Sequence, residues 1–207
     1  IVQLDSGRVG PDARIFSPAV TRELWTIVTP MPLSPPSPAL APLRSDFRGY
    51  GLGFEIRDYR GRKLVTHTGG LPGFVSRIAM IPSEKLGVAV FTNQESGAAF
   101  NAIAYRVLDH YLGAEPHDWI AGFEESVARS AEFVARREAE IAARRDSTAA
   151  PSLPLAAYAG TYTDPWYGDV EITRDGDGLG IRFTRTPWLT GNLVPWQHDT
   201  FVARWHD

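Results

Sequence analysis

Four short β segments joined by tight turns between residues 50 and 93 set the strongest limit on the fold. The predicted strands are 50–56, 63–68, 74–81 and 86–92, which are short runs rich in apolar and alternating side chains. Their connections are a few residues long and carry glycine or proline, as hairpin turns do. Because connections this short cannot cross over a sheet, the four strands are expected to pair antiparallel.

Helical patterns flank this predicted sheet. Ser17 caps a helix that is expected to cover 19–28 and to stop before Pro30. An apolar stripe between residues 100 and 112 predicts a helix that packs on the sheet and ends at a glycine. Residues 117–145 predict a largely solvated helix, because its acids and arginines pair four positions apart.

Two further segments are predicted to lack regular structure. Six prolines from Pro30 to Pro42 indicate an irregular or polyproline-like surface loop, with a ligand for a proline-binding domain as the alternative. Residues 147–154 read as a linker by composition. After that linker come five short β runs, with a tight turn at 175–178 and many aromatic residues, which predict a small barrel-like all-β segment.

The expected fold class is therefore α+β, an antiparallel sheet with packed helices followed by a small all-β segment. The expected division is residues 1–115, a helical arm and linker over 116–150, and the β segment over 151–207.

Candidate chemistry sits at the predicted end of the second strand. His67 supplies a titratable donor and Thr68 a hydroxyl, while Gly69 and Gly70 let a ligand approach the backbone N–H groups closely. This combination suits a carboxylate or an oxyanion. The alternative interpretation is a strand end with a turn and a partly exposed histidine.

The ordered series of motifs around these residues resembles the C-terminal part of serine beta-lactamases, D-alanyl-D-alanine peptidases and related esterases. The family carries Lys-Thr-Gly on one strand of its active site, and some members carry His-Thr-Gly there. The first 115 or so residues share this resemblance. The strings that carry it are Tyr50-Gly51-Leu52-Gly53-Phe54, His67-Thr68-Gly69-Gly70-Leu71-Pro72-Gly73-Phe74, Ile81-Pro82-Ser83 and Leu86-Gly87-Val88-Ala89-Val90-Phe91-Thr92-Asn93.

The resemblance implies a role for each residue of the strand motif. Thr68 would offer its hydroxyl to a substrate carboxylate, and His67 would stand in place of the lysine. Gly69 would leave room for the substrate, and the N–H of Gly70 would be one of two oxyanion-hole donors. The parent would then be an acyl-transfer hydrolase of a β-lactam, a D-amino-acid peptide or an ester.

Other implied features are less direct, and one is missing. Gly73 and Phe74 are expected to border the substrate, and Asn93 either approaches the pocket or forms a turn. No serine has a lysine three residues on, and no tyrosine or serine has an asparagine two residues on. We therefore expect the nucleophile to precede Ile1 and the chain alone to be inactive; the alternative is a non-catalytic module that binds a ligand or partner.

The last segment resembles the small lipocalin-like β domain that trails many of these hydrolases. The likeness rests on Tyr158-Ala159-Gly160-Thr161-Tyr162 and on Gly168-Asp169-Val170. We expect that domain to be incomplete here.

Charge and composition limit the partners. A net charge of −3 gives no reason to expect nucleic acid or an anionic membrane, and no apolar run is long enough to span one. No cofactor fingerprint is present, and His110 and His117 lack further ligands for a metal. The resemblance implies a small-molecule or peptide substrate and a periplasmic or secreted location. An exposed sheet edge is expected to favour self-association.

Overall fold

The structure is a computed structural model that describes residues 2–206, and it divides into two compact units at Phe133 and Val134. The first unit combines helices with an antiparallel sheet, and the second is mainly β, so the predicted α+β class is confirmed. Within the described residues, no helix is both long and apolar enough to cross a membrane.

The sheet of the first unit is a six-stranded meander whose spatial order follows the chain, with every neighbouring pair antiparallel. This confirms the antiparallel pairing that the short connections predict. The strands are β1 Thr29–Pro30, β2 Arg48–Tyr50, β3 Glu55–Tyr59, β4 Arg62–Leu71, β5 Phe74–Ile81 and β6 Leu86–Thr92.

The turn residues explain where two strand predictions are wrong. The run 50–56 is not one strand, because a turn closed by the bond from Gly51 N to Phe54 O separates β2 from β3. Strand β4 does not end near His67; it continues through both following glycines to Leu71, which pairs with Phe74. Pro72 and Gly73 make that turn instead, since proline fixes the first turn position and Gly73 has a φ of 82°.

Three helices accompany the sheet of the first unit. Helix α1, Pro18–Leu24, is shorter than predicted, because the chain after it pairs with β2 through Thr29 and Tyr50. Helix α2, Gly97–Leu112, ends at a left-handed glycine as predicted, and it begins at the side-chain cap of Ser96. Helix α3, Trp119–Ala143, is exposed over nearly all of its length.

Apolar packing covers both faces of the first sheet along the first half of β4, up to Thr66. On one face, β3, β4 and β5 pack against α2 and the start of α3, with Leu64, Leu108 and Trp119 almost fully buried. On the other face, Val65 and Met80 pack against Trp25. Alternate residues of β4 therefore serve opposite cores, as the period of two requires. The second half of β4, residues 67–71, is exposed.

The second unit carries a separate five-stranded antiparallel meander. Its edges are β7 and β11, which do not pair with each other within the described residues, so the predicted barrel-like segment is an open sheet. The predicted linker is tied to this unit, because Ser152 and Tyr158 both donate to Asp199 between the last two strands. The strands are β7 Gly160–Asp164, β8 Gly168–Asp175, β9 Gly178–Phe183, β10 Thr186–Gln197 and β11 Thr200–Trp205.

Candidate active-site strand

The second half of β4, residues 67–71, has a free edge. Strand β3 pairs with β4 only as far as Thr66, whose partner is Glu55, so the backbone of 67–71 pairs with β5 alone among the described residues. An unpaired strand edge presents backbone N–H and C=O groups to whatever lies beside it. An extended substrate can therefore add to β4 at the residues that the sequence singled out.

A cavity of about 270 Å³ opens beside this edge. The structure brings three of the predicted residues, His67, Thr68 and Gly69, to its wall. The remaining lining residues come from the turn after β2 and from β5: Gly53, Phe54, Ser76 and Ile78. The predicted residues Gly70, Gly73, Phe74 and Asn93 do not line it.

His67 is exposed, and its ring is held by a tyrosine. The Nε2 atom of His67 lies 2.8 Å from the hydroxyl oxygen of Tyr50, and the two rings meet edge to face at 6.1 Å. Two glycines beside Tyr50 let its backbone approach the end of α1 and the segment after it closely. A Cβ atom at Gly49 would come within 2.3 Å of Ile27, and one at Gly51 within 2.6 Å of Leu24 O. The position of Tyr50 is therefore tightly fixed.

Thr68 lies directly opposite Arg77 of β5, on the same face of the sheet. Arg77 is only 9% exposed, and its guanidinium donates to Asn101 and to the hydroxyl of Tyr105. Both partners are neutral, and Nε of Arg77 has no hydrogen-bond partner among the described residues. A buried cation beside an exposed hydroxyl makes this face of β4 attractive to an anion.

The charge of Arg77 affects the ionisation of Glu55 in the same sheet. Burial opposes ionisation of Glu55, but its hydrogen bond from Arg48 and the charges of Arg48, Arg57 and Arg77 outweigh that effect. Together they lower the pKa of the Glu55 carboxyl.

The two glycines of the motif differ in the space around them. A Cβ atom at Gly69 would lie 2.7 Å from Oγ of Ser76, its cross-strand partner, so a side chain there would displace the serine. At Gly70 no atom lies within 4 Å of the same position. The open space at Gly70 leaves its backbone accessible to a ligand.

The remaining predicted residues lie at the end of the β4–β5 hairpin. Gly73 forms the turn, and its N–H donates to Oε1 of Glu95 at 2.7 Å. Phe74 is 58% exposed beside that turn. Asn93 is exposed directly after β6, and it is Glu95, not Asn93, that reaches the hairpin. The substrate-binding roles of these three residues stay predictions.

Sequence reasoning missed Tyr50, Ser76 and Arg77 as neighbours of the motif. A signal for the last two was present, because a two-residue turn at Pro72-Gly73 fixes the register of the hairpin. Counting back from that turn pairs Gly69 with Ser76 and Thr68 with Arg77. No comparable signal points to Tyr50, whose contact depends on the path of the chain between β2 and β3. Within residues 2–206, no cluster of three metal-ligating side chains occurs.

Comparison with known proteins finds a family model that matches part of each unit. Residues 35–112 match the family described as Beta-lactamase, and residues 144–207 match a domain of unknown function, DUF3471. Unguisins hydrolase ungD from Aspergillus violaceofuscus is 33% identical over 201 residues, covering 91% of this chain and 34% of that protein. Unguisins hydrolase ungD' from Aspergillus campestris is 31% identical, covering 92% and 36%.

Among solved structures, the octameric penicillin-binding protein homologue from Pyrococcus abyssi is similar to this chain. It has 24% identity and a TM-score of 0.45, with 94% of this chain and 35% of that chain covered. The chain spans about a third of the length of the curated relatives. The match over residues 35–112 confirms the resemblance expected from the strand motif. Residues 35–112 thus carry the pattern of the Beta-lactamase family, and the chain is similar over 201 residues to two curated hydrolases.

Proposed function

We propose that the whole protein is an acyl-transfer serine hydrolase to which β4 contributes the substrate-facing strand. The observation that carries the proposal is the pairing of an exposed Thr68 with the buried Arg77, next to an unpaired strand edge. A carboxylate at this position would accept from the Thr68 hydroxyl and lie in the field of a fixed positive charge.

The glycines of the motif would serve the reacting carbonyl. The open surroundings of Gly70 allow its N–H to approach an oxyanion, and the narrow space at Gly69 admits an extended substrate but no side chain. In this chemistry a serine oxygen attacks the carbonyl carbon, an acyl-serine forms and the leaving group departs, and water then releases the acyl group. The described strand supplies binding and charge stabilisation only.

The nucleophile is proposed to lie outside residues 1–207. No serine of the chain stands three residues before a lysine, and the chain covers only about a third of each curated relative. The two relatives are named as hydrolases of unguisins. We extend hydrolysis to this protein, with substrates that present a carboxylate or a carbonyl to β4.

Ligand binding to the isolated chain tests the anion site. N-acetyl-D-alanine and its methyl ester form a matched pair of probes that differ by one negative charge. In ¹⁵N-labelled protein, we expect the acid to shift the amide signals of Thr68 and Gly70, and the ester to leave them unchanged. Thr68→Val should abolish the response and Thr68→Ser should keep it. Equal responses to both probes would rule out an anion site.

Labelling tests the placement of the nucleophile. A fluorophosphonate should modify a serine in the full-length protein but none in the isolated chain, since an activated serine is required. Stoichiometric labelling within residues 1–207 would show that one of their serines is the nucleophile.

A further inference from the structure

The contact between Tyr50 and His67 has a direction that the chemistry of the two groups decides. Only 2.8 Å separates the hydroxyl oxygen from Nε2, so one of the two atoms donates a proton to the other. A phenol O–H is more acidic than the N–H of a neutral imidazole, and an imidazole nitrogen is a better base than a phenol oxygen. The bond in which Tyr50 donates and Nε2 of His67 accepts is therefore the stronger one.

We infer that Tyr50 is a positioning residue that holds neutral His67 in the tautomer protonated at Nδ1. An imidazole whose Nε2 accepts a hydrogen bond carries its single proton on the other nitrogen. Tyr50 is suited to this task because the glycines on either side of it fix its backbone against the chain after α1. Tyr50 is 36% exposed, and among the described residues its hydroxyl has no hydrogen-bond partner other than His67.

A second histidine in the same unit provides the opposite case. Nε2 of His117 lies 2.9 Å from the carbonyl oxygen of Ala39. A carbonyl can only accept, so this histidine must carry a proton on Nε2. His110 provides a third case, because its ring meets that of Tyr111 edge to face at 5.2 Å, with no hydrogen bond between them among the described contacts.

The tautomer defines what β4 offers to a substrate, and this consequence rests on the proposed function. Neutral His67 would provide one N–H donor, from Nδ1, where other members of the family have a lysine ammonium. Such a donor suits an uncharged acceptor oxygen, such as an amide or ester carbonyl. The fixed positive charge would come from Arg77, behind Thr68. We therefore expect substrates that pair one carboxylate with a neutral acceptor oxygen at His67.

Nitrogen NMR of the folded chain tests the tautomer directly. Long-range ¹H–¹⁵N correlations of the histidine rings distinguish a protonated from an unprotonated nitrogen at about pH 8, above the usual titration range of histidine. We expect His67 to be protonated at Nδ1, and His117 to be protonated at Nε2. Tyr50→Phe should convert His67 to the Nε2-protonated or a mixed form. Tyr111→Phe, the matched control, should leave every histidine unchanged.

Each outcome decides the inference. Protonation of His67 at Nε2 in the unaltered chain would overturn it, as would an Nδ1 form that persists in Tyr50→Phe. If Tyr50→Phe does not fold, the unaltered chain still decides. A scalar coupling between the Tyr50 hydroxyl proton and Nε2 of His67 is expected there, and its absence would overturn the role of Tyr50.

The same experiments separate this inference from the proposed function. Failure of N-acetyl-D-alanine to shift Thr68 would reject the anion site and leave the tautomer standing. An Nε2-protonated His67 in a chain that still binds the acid would reject the tautomer alone.

Discussion

Two buried charged side chains lie between α2 and the sheet, and they differ in whether their hydrogen-bond partners carry the opposite charge. Asp109, 2% exposed near the end of α2, accepts two bonds of 2.9 Å from the guanidinium of Arg60. It also accepts from the hydroxyl of Tyr59 and, at 2.9 Å, from Nε1 of Trp119. Arg77 of β5 donates hydrogen bonds only to neutral side chains, those of Asn101 and Tyr105 on α2. The first charge is saturated by hydrogen bonds, whereas the second makes no salt bridge among the described residues, although its charge also acts on Glu55.

The difference separates a structural role from a functional one. Burial and the Asp109 carboxylate raise the pKa of the Tyr59 phenol far above its usual value, so its hydroxyl remains a donor at every ordinary pH. The cluster around Asp109 joins α2, the β3–β4 turn and the start of α3, and none of its four groups is left over for a ligand. A buried cation that makes no salt bridge is costly, so its presence calls for an explanation such as an anionic ligand.

The largest expected effect is the loss of the saturated cluster. Asp109→Asn keeps the shape of the side chain but leaves the Arg60 guanidinium without its counter-ion. We expect the free energy of unfolding to fall by about 3 to 5 kcal/mol, as when one partner of a buried pair is removed. Urea denaturation of the chain measures it. Glu84→Gln, in the exposed pair with Arg62, is the control and should cost about 1 kcal/mol or less. Equal losses would erase the proposed difference.

Removal of the Arg77 charge should cost less. Arg77→Met replaces a buried cation with an apolar chain of similar length and so also removes the cost of burying the charge. Asn101 is only partly buried and can be hydrated, but the buried hydroxyl of Tyr105 loses its hydrogen-bond partner, so we expect a loss of about 1 to 3 kcal/mol. The amide shifts caused by N-acetyl-D-alanine should vanish, whereas Arg77→Lys should keep part of them. A loss as large as that of Asp109→Asn would make Arg77 a structural residue.

A steric test separates the two glycines. Gly69→Ala should destabilise the chain by roughly 1 kcal/mol, because the new methyl group meets Oγ of Ser76, and overpacking costs at least this much in a tight site. Ser76→Gly in the same chain should restore part of the loss. Gly70→Ala is the matched control, with open space around it, and should cost less. Thermal unfolding of the three variants and the unaltered chain compares them; a larger loss at Gly70 would contradict the geometry.

Acid should weaken the ion pair of Glu55 and Arg48. The pKa of Glu55 is lowered in the folded chain, so its stabilisation is present above the unfolded value of about 4.5 and is lost as pH falls through the lower folded value. We expect the difference in urea midpoint between the unaltered chain and Glu55→Gln to shrink below about pH 4.5. A difference that grows in acid would reverse the sign of the shift.

The smallest effect on stability is expected at the site itself. Thr68→Val alters an exposed side chain that makes no hydrogen bond among the described contacts, so the free energy of unfolding should change by about 0.5 kcal/mol or less. Its effect on binding of N-acetyl-D-alanine should nevertheless be complete. A stability loss above about 1 kcal/mol would show that the hydroxyl serves the fold.

Local sequence signals located most elements of the chain. Alternation and turn residues identify β5, β6 and their connection, and an apolar stripe that ends at a glycine identifies α2. The errors fall where pairing overrides local preference. The glycine pair after Thr68 looks like a turn, yet it continues β4 because Pro72 and Gly73 close the hairpin later. Helix α1 ends early because Thr29 joins the sheet.

The sequence by itself determined the antiparallel sheet, its packed helix and the motif His67-Thr68-Gly69-Gly70, because these depend on residues close together in the chain. Only the tertiary structure decided that Tyr50 contacts His67 and that Asp109 accepts a hydrogen bond from Tyr59, 50 residues away. It also decided that Arg77 makes no salt bridge among the described residues, because a side chain's set of neighbours depends on the packing of distant segments. The candidate site residues can therefore be predicted from the sequence, whereas the charge of Arg77 beside them and the tautomer of His67 can be inferred only from the fold.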